Sequence, residues 1–120
     1  MIKETLFDGS PLCCEWIPIG SDYMLTVWGG TSPHLGSVVM AIARPSLSGE
    51  GVSATSSVLN ALGHKDEAVA RRFAEAVAKE KDCTAVCSCG IHIDALTAAQ
   101  LRTVEESCEL LLSRVLKAIE

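Results

Sequence analysis

The chain has 120 residues and a formal net charge of −5, from 10 basic against 15 acidic side chains. That length fits one domain, 1–120, and 48% hydrophobic with 21% charged residues excludes both a disordered chain and a coiled coil. The acidic excess argues against a general nucleic-acid binder, which needs a basic face to displace counterions. No apolar run approaches the roughly 18 residues that span a bilayer, and Asp8 and Glu15 interrupt the opening stretch, so a cytoplasmic domain without a leader is expected.

In chain order, residues 12–18 and 23–28 are strand candidates, closed by Gly20-Ser21-Asp22 and Gly29-Gly30. Residues 35–43 (LGSVVMAIA) are apolar on both faces and predict a central strand. A Pro/Ser/Gly-rich turn over 45–51 leads to a fourth strand at 52–59. From residue 23 to residue 63 the only charges are Arg44 and Glu50. The period then changes: Leu62, Val69, Phe73, Ala76 and Val77 share one helical stripe, predicting a helix over about 65–81. A buried strand follows at 83–90. Thr97-Ala98-Ala99-Gln100 reads as a capping box, and Leu101, Val104, Cys108, Leu111, Leu112, Val115 and Ile119 repeat at helical spacing to the end. The expected fold is therefore α+β: a mainly antiparallel sheet of about five strands, with two long helices packed on one face. The second face needs a cover, and a homodimer is the expected one.

The six cysteines include no CxxC pair, so free thiols are expected. Cys83, Cys87 and Cys89 share strand parity. A thiolate metal site and three small buried hydrophobes are both open readings, with the second favoured.

All three histidines fall in Gly-flanked loops. His34 lies between the second and third strands, His64 before the first helix, and His92 between the last strand and the last helix. Alternating strand directions bring all three loops to one edge of the sheet. The starts of both helices reach the same edge, where unpaired N–H groups and helix dipoles favour an anion such as phosphate. His34, His64 and His92, completed by Asp94 or Glu67, read as a candidate metal set of undetermined metal. Gly30, Gly36, Gly63 and Gly90 allow close approach of a ligand to the backbone. Lys65 is either a surface residue at a helix start or a phosphate contact, and Asp66 reads as surface. Arg44 is either an edge residue or a phosphate contact from a facing subunit. Trp28 reads as core rather than as a stacking platform. Ser32 lacks a nucleophile-elbow setting, and no phosphate-loop or dinucleotide motif is present.

Three segments, GGTSPHLGSVVMAI, GHKDEAVARRFAEAVAK and VCSCGIHIDALTAAQL, together resemble the LpdD-like family of prenylated-flavin chaperones. These are small D subunits associated with UbiD-type hydroxyarylic acid decarboxylases. The resemblance covers about residues 25–119. It implies a cofactor chaperone or accessory subunit rather than an enzyme, holding prenylated FMN (or FMN) with a divalent metal and delivering it to, or maturing it for, the decarboxylase large subunit. His34, His64, Lys65, His92 and Asp94 sit in matching motif positions. Gly30, Ser32, Gly36, Arg44, Gly63, Lys65 and Gly90 are then the candidate flavin contacts, and His34, His64, His92 and Asp94 the candidate metal ligands. A purely structural subunit of the decarboxylase complex and a metal-dependent hydrolase or lyase are the alternatives.

Overall fold

Alternation of apolar and small or polar residues sets the sheet. In the strand Ser37–Pro45, Ser37, Val39 and Ala41 are buried while Val38, Met40 and Ile42 are exposed, the period-two signature of a strand with one covered face. The computed structural model describes residues 1–61 and 65–119, without the side chain of Lys65. Its elements are β1 Ile2–Thr5, β2 Pro11–Ile19, β3 Asp22–Gly30, β4 Ser37–Pro45, β5 Val52–Asn60, α1 Lys65–Lys81, β6 Thr84–His92 and α2 Ala98–Ala118. The α+β architecture holds, with a sixth strand added to the expected five. β1 escapes a pattern reading because Lys3, Glu4 and Thr5 carry no apolar alternation. Its order comes from pairing with β2 and from α2, whose Arg114 guanidinium donates to the Lys3 carbonyl at 2.8 Å and the Glu4 carboxylate at 3.0 Å.

The strands lie in the order β1-β2-β3-β6-β4-β5. All pairs are antiparallel except β3 with β6. That parallel pair follows from the helical crossover: α1 carries the chain from the end of β5 back to the far edge, and β6 then threads between β3 and β4. So β3 and β4, neighbours in sequence, are separated in space, and the connection over residues 31–36 has to cross the end of β6.

Both helices cover one face, α1 over β4, β5 and β6 and α2 over β1 and β2. α1 carries Asp66 and Glu67 in its first turn and Lys79 and Lys81 in its last, matching the helix dipole. It stops with Asp82 in the left-handed region (φ 49°) and the Cys83 N–H donating to the Ala78 carbonyl. α2 starts on the expected capping box: Thr97 Oγ1 accepts from the Gln100 N–H, and the Gln100 side chain accepts from the Thr97 N–H. Between the layers lie Phe73, Val77, Leu25, Val39, Leu111 and Val115, all essentially without solvent contact. Neither helix is long and apolar enough to cross a membrane.

The opposite face carries no helix. Ile17, Met24, Val38, Met40, Ile42 and Leu59 are exposed there. Trp28, expected in the core, stands half-buried on this face, because its parity sets it opposite to Leu25 and Val27.

All six cysteines are free and buried, in line with the packing alternative rather than a thiolate site. Burial pushes the Cys14 and Cys108 thiols up to about 12, and those of Cys87 and Cys89 upward as well. In the unfolded chain each ionises near its ordinary value of 9.0, so above that pH the unfolded state binds fewer protons than the native one and stability falls. The urea midpoint is expected to hold below pH 9 and to drop between pH 9 and about 12. Iodoacetamide at pH 8 is expected to modify Cys14, Cys87, Cys89 and Cys108 only after denaturant is added, as read by mass spectrometry.

Candidate functional site

The ends of β3, β5 and β6 and the start of β4 meet at one edge of the sheet: Gly30 pairs with His92, and Ser37 pairs with both Cys89 and Asn60. The crossing segment 31–36 is tied down there by the carbonyls of β6. The Thr31 and Ser32 N–H groups both donate to the His92 carbonyl (2.9 and 3.3 Å), His34 N–H to Gly90 (3.5 Å) and Gly36 N–H to Cys89 (3.0 Å). His34 and His92 are thereby brought together along the backbone, as the strand directions imply.

Glycine makes the crossing possible. At Gly90 a Cβ would run into the His34 carbonyl, and at Gly30, which also has φ +86°, into the His92 carbonyl. A Cβ at Gly36 would meet the carboxylate of Asp66. These three glycines, expected to admit a ligand, admit the chain itself.

Asp66 fixes the arrangement. It sits in the first turn of α1 with its residue 6% exposed, although its sequence position reads as surface. Its Oδ1 accepts from the Ile91 N–H at 3.0 Å, and its Oδ2 lies 3.1 Å from His34 Nε2. One buried carboxylate therefore joins the start of α1, the end of β6 and the crossing segment. Nothing in the sequence separates Asp66 from the acidic residues that merely complement a helix dipole; its role shows only in the Ile91 N–H and the Gly36 backbone that lie against it.

His34 Nδ1 faces the Ser32 carbonyl at 3.2 Å, so both of its ring nitrogens point at oxygen atoms. His92 Nε2 lies 2.7 Å from Asp94 Oδ1. The His34 and His92 side chains are 43% and 50% exposed, which leaves both rings open to a ligand's edge. Each histidine thus forms a pair with its own carboxylate, and among the described residues no group of three or more His, Cys, Asp or Glu side chains is placed to hold a metal ion. His64 and Gly63 lie outside the described residues, so the expected set of His34, His64, His92 and Asp94 is not assembled among them.

At the start of α2 the Thr97–Gln100 capping box occupies the place expected for an anion, and at α1 Asp66 and Glu67 set two carboxylates in the first turn, which disfavour one. Arg44 is not at this edge. It lies near the far end of β4, where its Nε donates to Thr55 Oγ1 at 2.9 Å and its Nη1 to the Pro45 carbonyl. Seven residues of strand separate it from Ser37, about 23 Å at 3.3 Å per residue.

Beside the polar edge, α1, α2 and the end of β6 enclose an apolar cleft of about 320 Å³, with Asp66 at its inner end and an Arg72–Glu109 ion pair (3.0 Å) at its rim. No sequence motif announces it, because its walls are ordinary apolar positions of two amphipathic helices.

Replacing Asp66 with Ala orphans the Ile91 N–H, and the expected cost is about 1–3 kcal/mol. Urea denaturation measures it, and amide exchange at Ile91 and His34 is expected to accelerate. Asp66→Asn keeps an oxygen for Ile91 and is expected to retain most of the stability.

A family model described as the prenylated flavin chaperone LpdD-like domain matches residues 7–120. The protein LpdD of Lactiplantibacillus plantarum is 32% identical over 83 residues, covering 69% of this chain and 58% of that protein. The match thus spans little more than half the length of that curated relative. A chain in the crystal structure of a chaperone complex for yeast 20S proteasome assembly superposes with a TM-score of 0.57 at 15% identity, over 98% of this chain and 91% of its own, which speaks to the fold alone. With the family match running from just after β1 through α2, this chain belongs to the prenylated-flavin chaperone LpdD-like family.

Proposed function

We propose that this protein binds prenylated FMN at the glycine-crossed edge and delivers it to, or matures it for, a UbiD-type decarboxylase. The observation that carries this reading is the family match over nearly the whole chain. The edge is suited to the task in its chemistry. Ser32, His34 and His92 offer exposed or half-exposed polar groups around a rigid backbone crossing. A flavin presents ring heteroatoms that such groups can hydrogen-bond and a planar apolar surface that shuns water. In this reading the exposed His92 imidazole holds the polar rim of the ring system, the exposed face of the His34 ring packs against it, and Ser32 supports them. His64 and Lys65, between Ala61 and Asp66, belong to the same contact set. Gly30, Gly36 and Gly90 contribute by letting the crossing form, and Arg44 takes no part within one protomer.

His34 is held by Asp66 through a buried carboxylate, so its ring is oriented before any ligand arrives. That pre-orientation lowers the ordering cost of binding. The bound flavin would supply the electrophilic chemistry of the decarboxylase; this chain's residues bind, orient and release it. A resident zinc ion does not fit the described donors, since the His34–Asp66 and His92–Asp94 pairs each offer two ligands where zinc takes at least three from protein. No part of the proposed role runs through a metal.

The bare sheet face completes the proposal. A second copy of the chain over Met24, Met40 and Ile42 would bury it, and sedimentation velocity is expected to give a dimer mass that Met40→Glu with Ile42→Glu reduces to the monomer.

The role is tested with reduced prenylated FMN by gel filtration. The wild-type chain is expected to retain flavin and to activate an apo-decarboxylase on mixing. His34→Ala and His92→Ala are each expected to weaken retention about tenfold, the loss of a ring contact or of one or two polar contacts, with EDTA without effect. Flavin retained equally by both variants would move the site elsewhere, and loss on EDTA treatment would restore the metal with His64 as its missing donor.

A further inference from the structure

We infer that the cleft between α1 and α2 is a binding site for an uncharged apolar group, distinct from the polar edge. Val69 and Phe73 of α1, Ile91 of β6 and Leu101, Val104 and Cys108 of α2 form its walls. Its volume of about 320 Å³ is at the lower bound of small-molecule sites, and a cavity of about 150 Å³ already admits benzene. An apolar space of that size left empty lowers stability. At the rim of the cleft the Arg72–Glu109 pair spans the two helices, with Nε and Nη2 of the guanidinium reaching both carboxylate oxygens at 3.0–3.3 Å.

Charge decides the ligand class. Among the described residues, Asp66, Glu105 and Glu109 line the cleft against Arg72, whose guanidinium is paired with Glu109. Both Asp66 oxygens are likewise committed, to Ile91 and His34. The described walls therefore carry a net negative charge. They disfavour a phosphate or carboxylate and admit a neutral hydrocarbon or aromatic group. Neither the flavin nor the decarboxylase enters this assignment.

Two fluorescent probes with one aromatic skeleton test it: neutral N-phenyl-1-naphthylamine and anionic 8-anilinonaphthalene-1-sulfonate. The full chain is expected to bind the neutral probe saturably at one site, at least tenfold more tightly than the sulfonate. Val104→Trp fills the cleft and is expected to abolish neutral-probe binding, whereas Met40→Glu on the bare sheet face leaves it unchanged. Glu105→Lys is expected to raise sulfonate affinity. Should Val104→Trp fail to fold, amide shifts of the wild-type chain on adding the neutral probe decide: changes at Val69, Ile91 and Leu101 support the site. Changes confined to Met24, Val38 and Met40 overturn it. So do equal affinities for the two probes, or binding that fades as protein concentration rises, which would assign the cleft to a second copy.

Discussion

The passage of residues 31–36 across the end of β6 is the constraint from which the rest of this structure follows. Inserting β6 between β3 and β4 gains a strand buried on its covered face and paired on both edges, but it forces the β3–β4 connection over a strand end. Backbone groups on such a crossing have to be satisfied. Here they are: four N–H groups of the segment donate to β6 carbonyls, and the Ile91 N–H, beyond the last β4 pairing, finds Asp66. A crossing that close tolerates no side chain at Gly30 or Gly90. The glycine pattern is thus a consequence of topology before it is anything else.

Much of the architecture was legible because it rests on local periodicity. The helix expected over 65–81 is α1, and the Thr97–Gln100 capping box opens α2 as its spacing requires. The gathering of the His34 and His92 loops at one edge follows from strand direction, which alternates whether or not the strands are sequential neighbours. What stayed hidden depends on sheet order. That β6 lies beside and parallel to β3, and that Gly36 at the end of the resulting crossing lies against Asp66, depend on which strands adjoin, and side-chain patterns along one strand carry no information on its neighbours. Arg44 illustrates the same limit: its isolation in a neutral stretch marks it as unusual, but only the length of β4 shows how far it lies from His34.

The cysteines answer a different question. Cys87 and Cys89 occupy core positions of β6 beneath α1, where small side chains let the helix approach the sheet. Ala85 on the same strand face and Ala70, Ala74 and Ala78 on α1 are equally small and equally buried. The thiols belong to that stripe of small residues, and desolvation keeps them protonated. The spacing of Cys87 and Cys89 therefore follows the period of the buried strand face.

Asp66 connects the two halves of the site. The same carboxylate that orients His34 on the polar edge forms the inner wall of the apolar cleft. Its cost of burial is offset by a backbone N–H and an imidazole, so moving either partner unsettles the other. The polar edge and the cleft thus share one side chain, with no chain of contacts between them. A molecule with a polar ring edge and an uncharged apolar part would meet both surfaces at once, and a purely anionic ligand would meet neither on favourable terms.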